Sequence, residues 1–145
     1  MQREYKFRAW DTRLKQWVVQ GFSIFGETTL FNLIGIYCLE NKGDGDSLER
    51  YNDIVVTQWT EHVINGTDLY EGDIVQEGDD YYVCIWMRAW SMYHFMEAEK
   101  FLINEEVESY GADISYLTCL PVNRRNMKNI THCGNIFENR ELLTK

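Results

Sequence analysis

Leu69-Tyr70-Glu71-Gly72-Asp73-Ile74-Val75 is the stretch that decides the fold. Gly72 can take a backbone conformation closed to residues with a β-carbon, and Asp73 can accept a backbone N–H. The chain is therefore expected to turn sharply before entering a strand at Ile74, an entry that suits a small, highly bent β-barrel. Downstream, Gly78-Asp79-Asp80 makes the next turn. Tyr81 to Met87 is then apolar on both alternations, as in a strand covered on both sides, and Trp90 to Met96 pairs beside it. Upstream, Ile54 to Thr60 is a β-branched strand, followed by a polar connection in which Asn65-Gly66 supplies positive φ angles at low cost.

Further out, Glu4-Tyr5-Lys6-Phe7-Arg8-Ala9-Trp10 alternates with period two, which places Tyr5, Phe7 and Ala9 on one face and Trp10 on the charged face. Asp11 to Gln16 is polar and turn-like, and Trp17-Val18-Val19 returns as a strand, so the chain opens with a β-hairpin. Phe22 to Leu39 reads as one or two further strands, and Asn41 to Ser47 as an exposed loop. From Glu97 to Tyr110 the apolar spacing favours a short helix over a strand at Phe101-Leu102-Ile103. Ile130 to Phe137 reads as a strand with a bulge at Gly134, and Asn139 is placed to cap a last helical turn through Glu141, Leu142 and Leu143. The fold expected is mainly β: a small barrel-like domain over residues 1–145, with an N-terminal β-hairpin and one or two short helices.

A chain of 145 residues that is 45% hydrophobic and 14% aromatic can bury one core and favours strands. A single proline, Pro121, and dispersed glycines leave no linker to divide it. The alternating Met1 to Trp17 lacks the apolar run of a signal peptide, and no stretch reads as a membrane helix, so a cytoplasmic protein is expected. Cys38, Cys84, Cys119 and Cys133 lack the close spacing of a zinc site and read as free, mostly buried thiols; no cofactor is implied. In Asp44 to Val55 the calcium-loop pattern fails, because Leu48 and Val55 stand where oxygen ligands are required.

The net charge of −9 is unevenly spread. Residues 1–16 sum to +3, 17–60 to −4, 61–110 to −10 and 111–145 to +2. The acidic excess opposes nonspecific contact with phosphate backbones, while basic ends and an acidic middle attract one another within or between copies. Arg124, Arg125 and Lys128 form the one compact basic group, a candidate contact for single-stranded nucleic acid set against the simpler reading of a solvated loop. His132 beside Cys133 does not make a nucleophilic pair, since adjacent strand residues face opposite ways. No phosphate-binding glycine loop is present, and the carboxylates are too numerous for any one pair to indicate glycosidase chemistry.

Three blocks together resemble the YopX family of small bacteriophage and prophage proteins. Lys6-Phe7-Arg8-Ala9-Trp10-Asp11 is similar to its N-terminal signature. Gln58-Trp59-Thr60 with Leu69 to Val75 is similar to its central one, and Gly134 to Leu143 to its C-terminal one. The stretch Glu61 to Asp68 departs from the family's usual Gly-Leu-Lys-Asp run, and Arg140 stands where Pro is common. The resemblance implies a β-rich fold with barrel character, a phage origin and assembly into oligomers, with no catalytic residue or cofactor to transfer. The function expected is a non-enzymatic, self-assembling interaction module with a phage or host protein as partner. The alternative is a nucleic-acid-linked role, through the basic loop or as an acidic DNA-mimic decoy for a host protein.

Overall fold

The computed structural model describes residues 5–24, 27–87, 91–104, 119–123 and 125–145. The chain divides into two compact units, Met1–Trp59 and Thr60–Lys145. The protein is mainly β, with two sheets, one of them curled into a half-barrel, and a few short helices.

In the first unit, β1 (Tyr5–Asp11) and β2 (Gln16–Ile24) form the expected antiparallel hairpin. Its turn is closed by Asp11, whose Oδ1 accepts the backbone N–H groups of Arg13 and Leu14 at 2.9 and 3.1 Å. That Asx geometry leaves Lys15 in the left-handed region, at φ 55°. β1 also pairs with β3 (Ile54–Ile64), in the order β2-β1-β3-β4, where β4 is Thr67–Tyr70. A central position explains why the charged alternation of β1 is buried too. Arg8 donates to Thr57 Oγ1 at 3.0 Å and lies over the Trp17 ring, while Trp10 meets Trp17 edge to face.

Residues 22–39 do not form a strand pair. β2 ends at Ile24, and Glu27–Glu40 is α1, a helix of 14 residues. Leu30, Ile34 and Cys38, spaced by four, form its buried line and pack with Ala9. Phe31 flanks this line and Ile36 and Leu39 lie on the opposite side, so apolar residues surround the helix and hide the 3.6-residue period. The loop at 41–46 leads to α2 (Ser47–Tyr51), where Asp46, once a calcium candidate, caps the helix by accepting the Glu49 N–H at 2.7 Å.

In the second unit, β5 (Asp73–Glu77), β6 (Asp80–Met87), β7 (Met92–Glu97), β8 (Cys119–Pro121) and β9 (Thr131–Asn135) make an antiparallel sheet ordered β8-β7-β6-β5-β9. Asn65 and Gly66, at φ 48° and 81°, turn β3 into β4. The corner at Gly72 forms as the sequence predicts. Gly72 sits at φ 88°, its N–H donates to the Cys84 carbonyl at 2.7 Å, and its carbonyl accepts the Ile136 N–H at 2.9 Å. Asp73 Oδ2 accepts the Tyr70 N–H at 2.8 Å.

β6 is covered on both faces from Val83 to Ile85, as its sequence implies, but Trp86 is 38% exposed. Val83, Ile85 and Met87 pack with Ile74, Met96, Phe101 and Leu143. Cys84 packs on the other side with Ile64, Leu69, Val75, Phe95, Val122 and Ile130. Phe101 comes from the short helix α3 (Ala98–Asn104), which settles helix over strand at 101–103; residues 105–110 lie outside the described set. The bulge in β9 is real: Ile74 faces Gly134 and Val75 faces His132, leaving Cys133 as the extra residue. Gly134 has φ 150°, and a β-carbon there would run into the Asn139 carboxamide. Asn139 precedes the final 3₁₀ turn, Arg140–Thr144, but its side chain makes no cap; Oδ1 accepts the Asn135 N–H at 3.1 Å instead.

Candidate interaction surface

A dense polar network lies in the first unit, with Arg50 and Asp11 buried at its centre. Arg50 is 1% exposed, and its guanidinium donates through Nε to the Asn41 carbonyl at 2.7 Å, through one terminal nitrogen to Asp53 Oδ2 at 2.5 Å, and through the other to Asp11 Oδ2. The Tyr37 hydroxyl donates to the same Asp11 oxygen at 2.6 Å and accepts from Gln16 Nε2 at 2.8 Å. Burial alone would push the Asp11 carboxyl up. The Tyr37 hydroxyl, the Leu14 and Arg13 N–H groups and the Arg50 charge outweigh it and hold that carboxyl below its ordinary value. Tyr37 is shifted upward by burial and by donating to a carboxylate. These groups satisfy one another and tie β1, α1, α2 and the entry to β3 together. Their work is structural.

In the second unit, His132 Nε2 lies 2.9 Å from Asp73 Oδ2. The neighbouring thiol does not join them: Cys133 Sγ faces Gln76 Oε1 at 3.9 Å and the Thr131 carbonyl at 3.5 Å, and burial raises its pKa, which opposes a nucleophilic thiolate. Cys38 and Cys84 are buried and free; the Cys119 side chain lies outside the described set. Among the described residues no group of three or more His, Cys, Asp or Glu is placed to hold a metal ion, and no helix is long and apolar enough to cross a membrane. An open cleft of about 300 Å³ is rimmed by Asp79, Asp80, Glu97 and Glu99.

Arg125 and Lys128 of the basic group are exposed on the turn over 125–129, while Arg124 lies outside the described residues. Asn123 Oδ1 accepts the Asn126 N–H at 2.9 Å and Asn126 Nδ2 donates to the Pro121 carbonyl at 2.8 Å, so the turn is held at its base.

The surface that stands out is apolar. Phe31, Ile36 and Leu39 of α1 are 61%, 54% and 61% exposed, and Leu48 and Tyr51 of α2 are 74% and 41% exposed. Phe31, Gly35 and Leu39 follow one line along the helix at four-residue spacing. A β-carbon on Gly35 would meet the Tyr51 hydroxyl at 2.7 Å, so the missing side chain is what lets α2 settle against that line. Leu48 lies one turn from Tyr51. The five side chains thus lie on two neighbouring helices, of which the sequence reads residues 31–39 as strand.

With both units described, the sequence comparison can be placed on them. The family model described as YopX protein matches residues 6–144, from β1 to the final 3₁₀ turn. The chain belongs to the YopX family. No curated protein matches it. The three blocks that carry the YopX resemblance fall on β1, on β3 with the Gly72 corner, and on the β9 bulge with the segment that follows it. In this YopX chain those blocks hold the strand frame in place, while the exposed helical face lies between the first and second of them.

Proposed function

We propose that this chain is a non-enzymatic phage or prophage protein, working in the cytoplasm of a bacterial host, which assembles with copies of itself through the α1–α2 face. The assembled protein presents its remaining surface to a phage or host partner. The observation that carries this reading is the apolar cluster of Phe31, Ile36, Leu39, Leu48 and Tyr51. It exposes on the order of 500 Å², near the upper limit of what a monomer leaves in one patch. A stable interface removes about 800 Å² from each partner, so this cluster plus a polar rim has the area that self-association needs. The unequal charge along the chain, basic at the ends and acidic in the middle, favours contact between copies as well.

Light scattering coupled to size exclusion is expected to give a mass above 17.3 kDa. The double variant Phe31→Asp/Leu39→Asp should weaken association by roughly a hundred-fold, since each substitution removes an anchor worth about 1–2 kcal/mol or more. Its helical circular dichroism should be unchanged, because neither side chain belongs to the buried line. A wild-type monomer at every concentration and salt tested would end this reading.

A second reading draws on the exposure of Arg125 and Lys128 on one turn: contact with single-stranded nucleic acid. Arg125→Glu/Lys128→Glu is then expected to abolish most binding and to lower the salt slope by about 1.4, the value for two phosphate contacts on a single strand. If the wild type does not retain single-stranded DNA at low salt, the basic turn has no such role. The decoy form of this reading requires the wild type to compete with DNA for a DNA-binding host protein.

A further inference from the structure

The open cleft of the second unit belongs to neither the α1–α2 face nor the basic turn. Asp79 and Asp80 stand at the turn from β5 into β6, and Glu97 and Glu99 stand where β7 passes into α3. Gly78, at φ 61°, and the bond from Gln76 Nε2 to the Gly78 carbonyl at 3.0 Å hold that turn in shape. Glu97 is paired with Lys100 at 3.3 Å, whereas Asp79, Asp80 and Glu99 make no ion pair among the described residues. Lys145 is the one cation among the described lining residues, so the rim stays strongly negative. Between the carboxylates, Tyr81 and Tyr82 supply ring surface. Burial first, then Asp80, Glu77 and Glu97 raise the Tyr82 phenol above its ordinary pKa, so the negative field reaches that surface. Among the described residues no three carboxylates converge to hold a metal ion. Their charge is instead spread around an opening of about 300 Å³, which suits a group with cations on either side of an apolar centre.

The chain itself carries a protrusion of that pattern. Arg13-Leu14-Lys15, at the turn of the β1–β2 hairpin, is exposed throughout, with Leu14 43% exposed and outside every buried cluster. Arg13 lends one guanidinium nitrogen to the Asn41 carbonyl at 3.3 Å, and neither Arg13 nor Lys15 makes an ion pair among the described residues. The tip is fixed before any contact is made. Asp11 accepts the Arg13 and Leu14 N–H groups, and Arg50 and Tyr37 hold Asp11 in turn. Little conformational freedom is therefore lost when such a tip is captured.

We propose that the Arg13-Leu14-Lys15 tip of one copy docks in the cleft of a second copy, with Leu14 against Tyr81 and Tyr82 and the two cations against Asp79, Asp80 and Glu99. Opposite charges steer the encounter and fix its orientation, and an acidic segment is repelled by the same rim. Tip and cleft are different surfaces, so the contact is head-to-tail, and its repetition builds rings or open chains. One turn in one cleft covers less than a standard interface, which makes the contact weak when it acts alone. It goes beyond the α1–α2 face and does not depend on it.

The test uses the full chain carrying Phe31→Asp/Leu39→Asp, so that the helical face contributes nothing. In sedimentation equilibrium this parent is expected to rise above the mass of one chain as its concentration increases, and raising the salt from about 50 to 300 mM should weaken that association roughly ten-fold. On the same background, Leu14→Ser/Lys15→Glu removes the tip and Asp79→Asn/Asp80→Asn/Glu99→Gln removes the charge of the rim. All five positions are exposed, so folding is not at risk. Each variant alone is expected to stay monomeric where the parent associates. An equimolar mixture of the two should pair again, because it reunites one intact tip with one intact cleft. A parent that is monomeric at every concentration overturns the proposal and leaves the α1–α2 reading standing. So does a mixture that stays monomeric, or a tip or rim variant that associates as its parent does.

Discussion

Arg50→Met is expected to destabilise the protein by about 3–5 kcal/mol, the usual loss when one member of a buried ion pair is removed. The side chain is 1% exposed and Asp11 fully buried. Methionine fills much of the same volume, so the loss comes from electrostatics rather than from a cavity. Asp11 would keep its bonds from Tyr37, Arg13 and Leu14 but face a buried environment without a counter-charge, and the Asn41 carbonyl would lose the shorter of its two bonds, keeping only that from Arg13 at 3.3 Å. Urea unfolding followed by near-ultraviolet circular dichroism measures the change. Arg50→Met/Asp11→Asn should recover part of it, because the amide oxygen can still close the hairpin turn while the only carboxylate left without Arg50 is the part-exposed Asp53.

Acid gives the same network a second readout. The folded-state carboxyl of Asp11 lies below its ordinary value, so its contribution to stability is fully present above the unfolded value, near pH 4, and fades as pH falls through the folded one. Without Arg50, one of the forces holding that carboxyl down disappears, so the acid loss should be smaller and complete at a higher pH than in the wild type, with its onset near the unfolded value unchanged. Parallel pH profiles of the two proteins would contradict this assignment of the charge.

The features legible in the sequence are those whose causes are local. Gly72 and Asp73 announce the corner because a positive φ and a side-chain acceptor act within three residues. Gly134 announces the bulge for the same reason, and β6 shows its double burial in an unbroken apolar run. α1 was hidden because Phe31, Ile36 and Leu39 give its outer side the hydrophobicity that normally marks an inner one. The apolar face was illegible for that reason too: until the segment is known to be a helix, these residues read as core. Arg50 gave no signal either, since its partner Asp11 is 39 positions away and no local pattern at Arg50 points to it. Of the basic group, Arg125 and Lys128 occupy the exposed turn that the sequence suggested; their role depends on a ligand, and local sequence does not specify one.

Asp73→Ala is expected to cost about 2–4 kcal/mol, because one buried oxygen holds two otherwise separate pieces of backbone. Oδ2 accepts the Tyr70 N–H, which shapes the corner, and bonds His132, which belongs to the bulged strand β9. Asp73 and Val75 also pair in backbone register with Asn135 and His132, so the side-chain and main-chain links reinforce one another. Alanine would strand the Tyr70 N–H in a buried position and release His132 together. Asp73→Asn keeps an oxygen that can accept at both links and removes only the carboxylate's charge, so about 1 kcal/mol of loss is expected. Amide exchange distinguishes the outcomes. Alanine should speed exchange both at Tyr70 and along β9, whereas asparagine should leave both close to the wild type. If the two variants behave alike, the corner is held by Gly72 and the surrounding core rather than by the carboxylate.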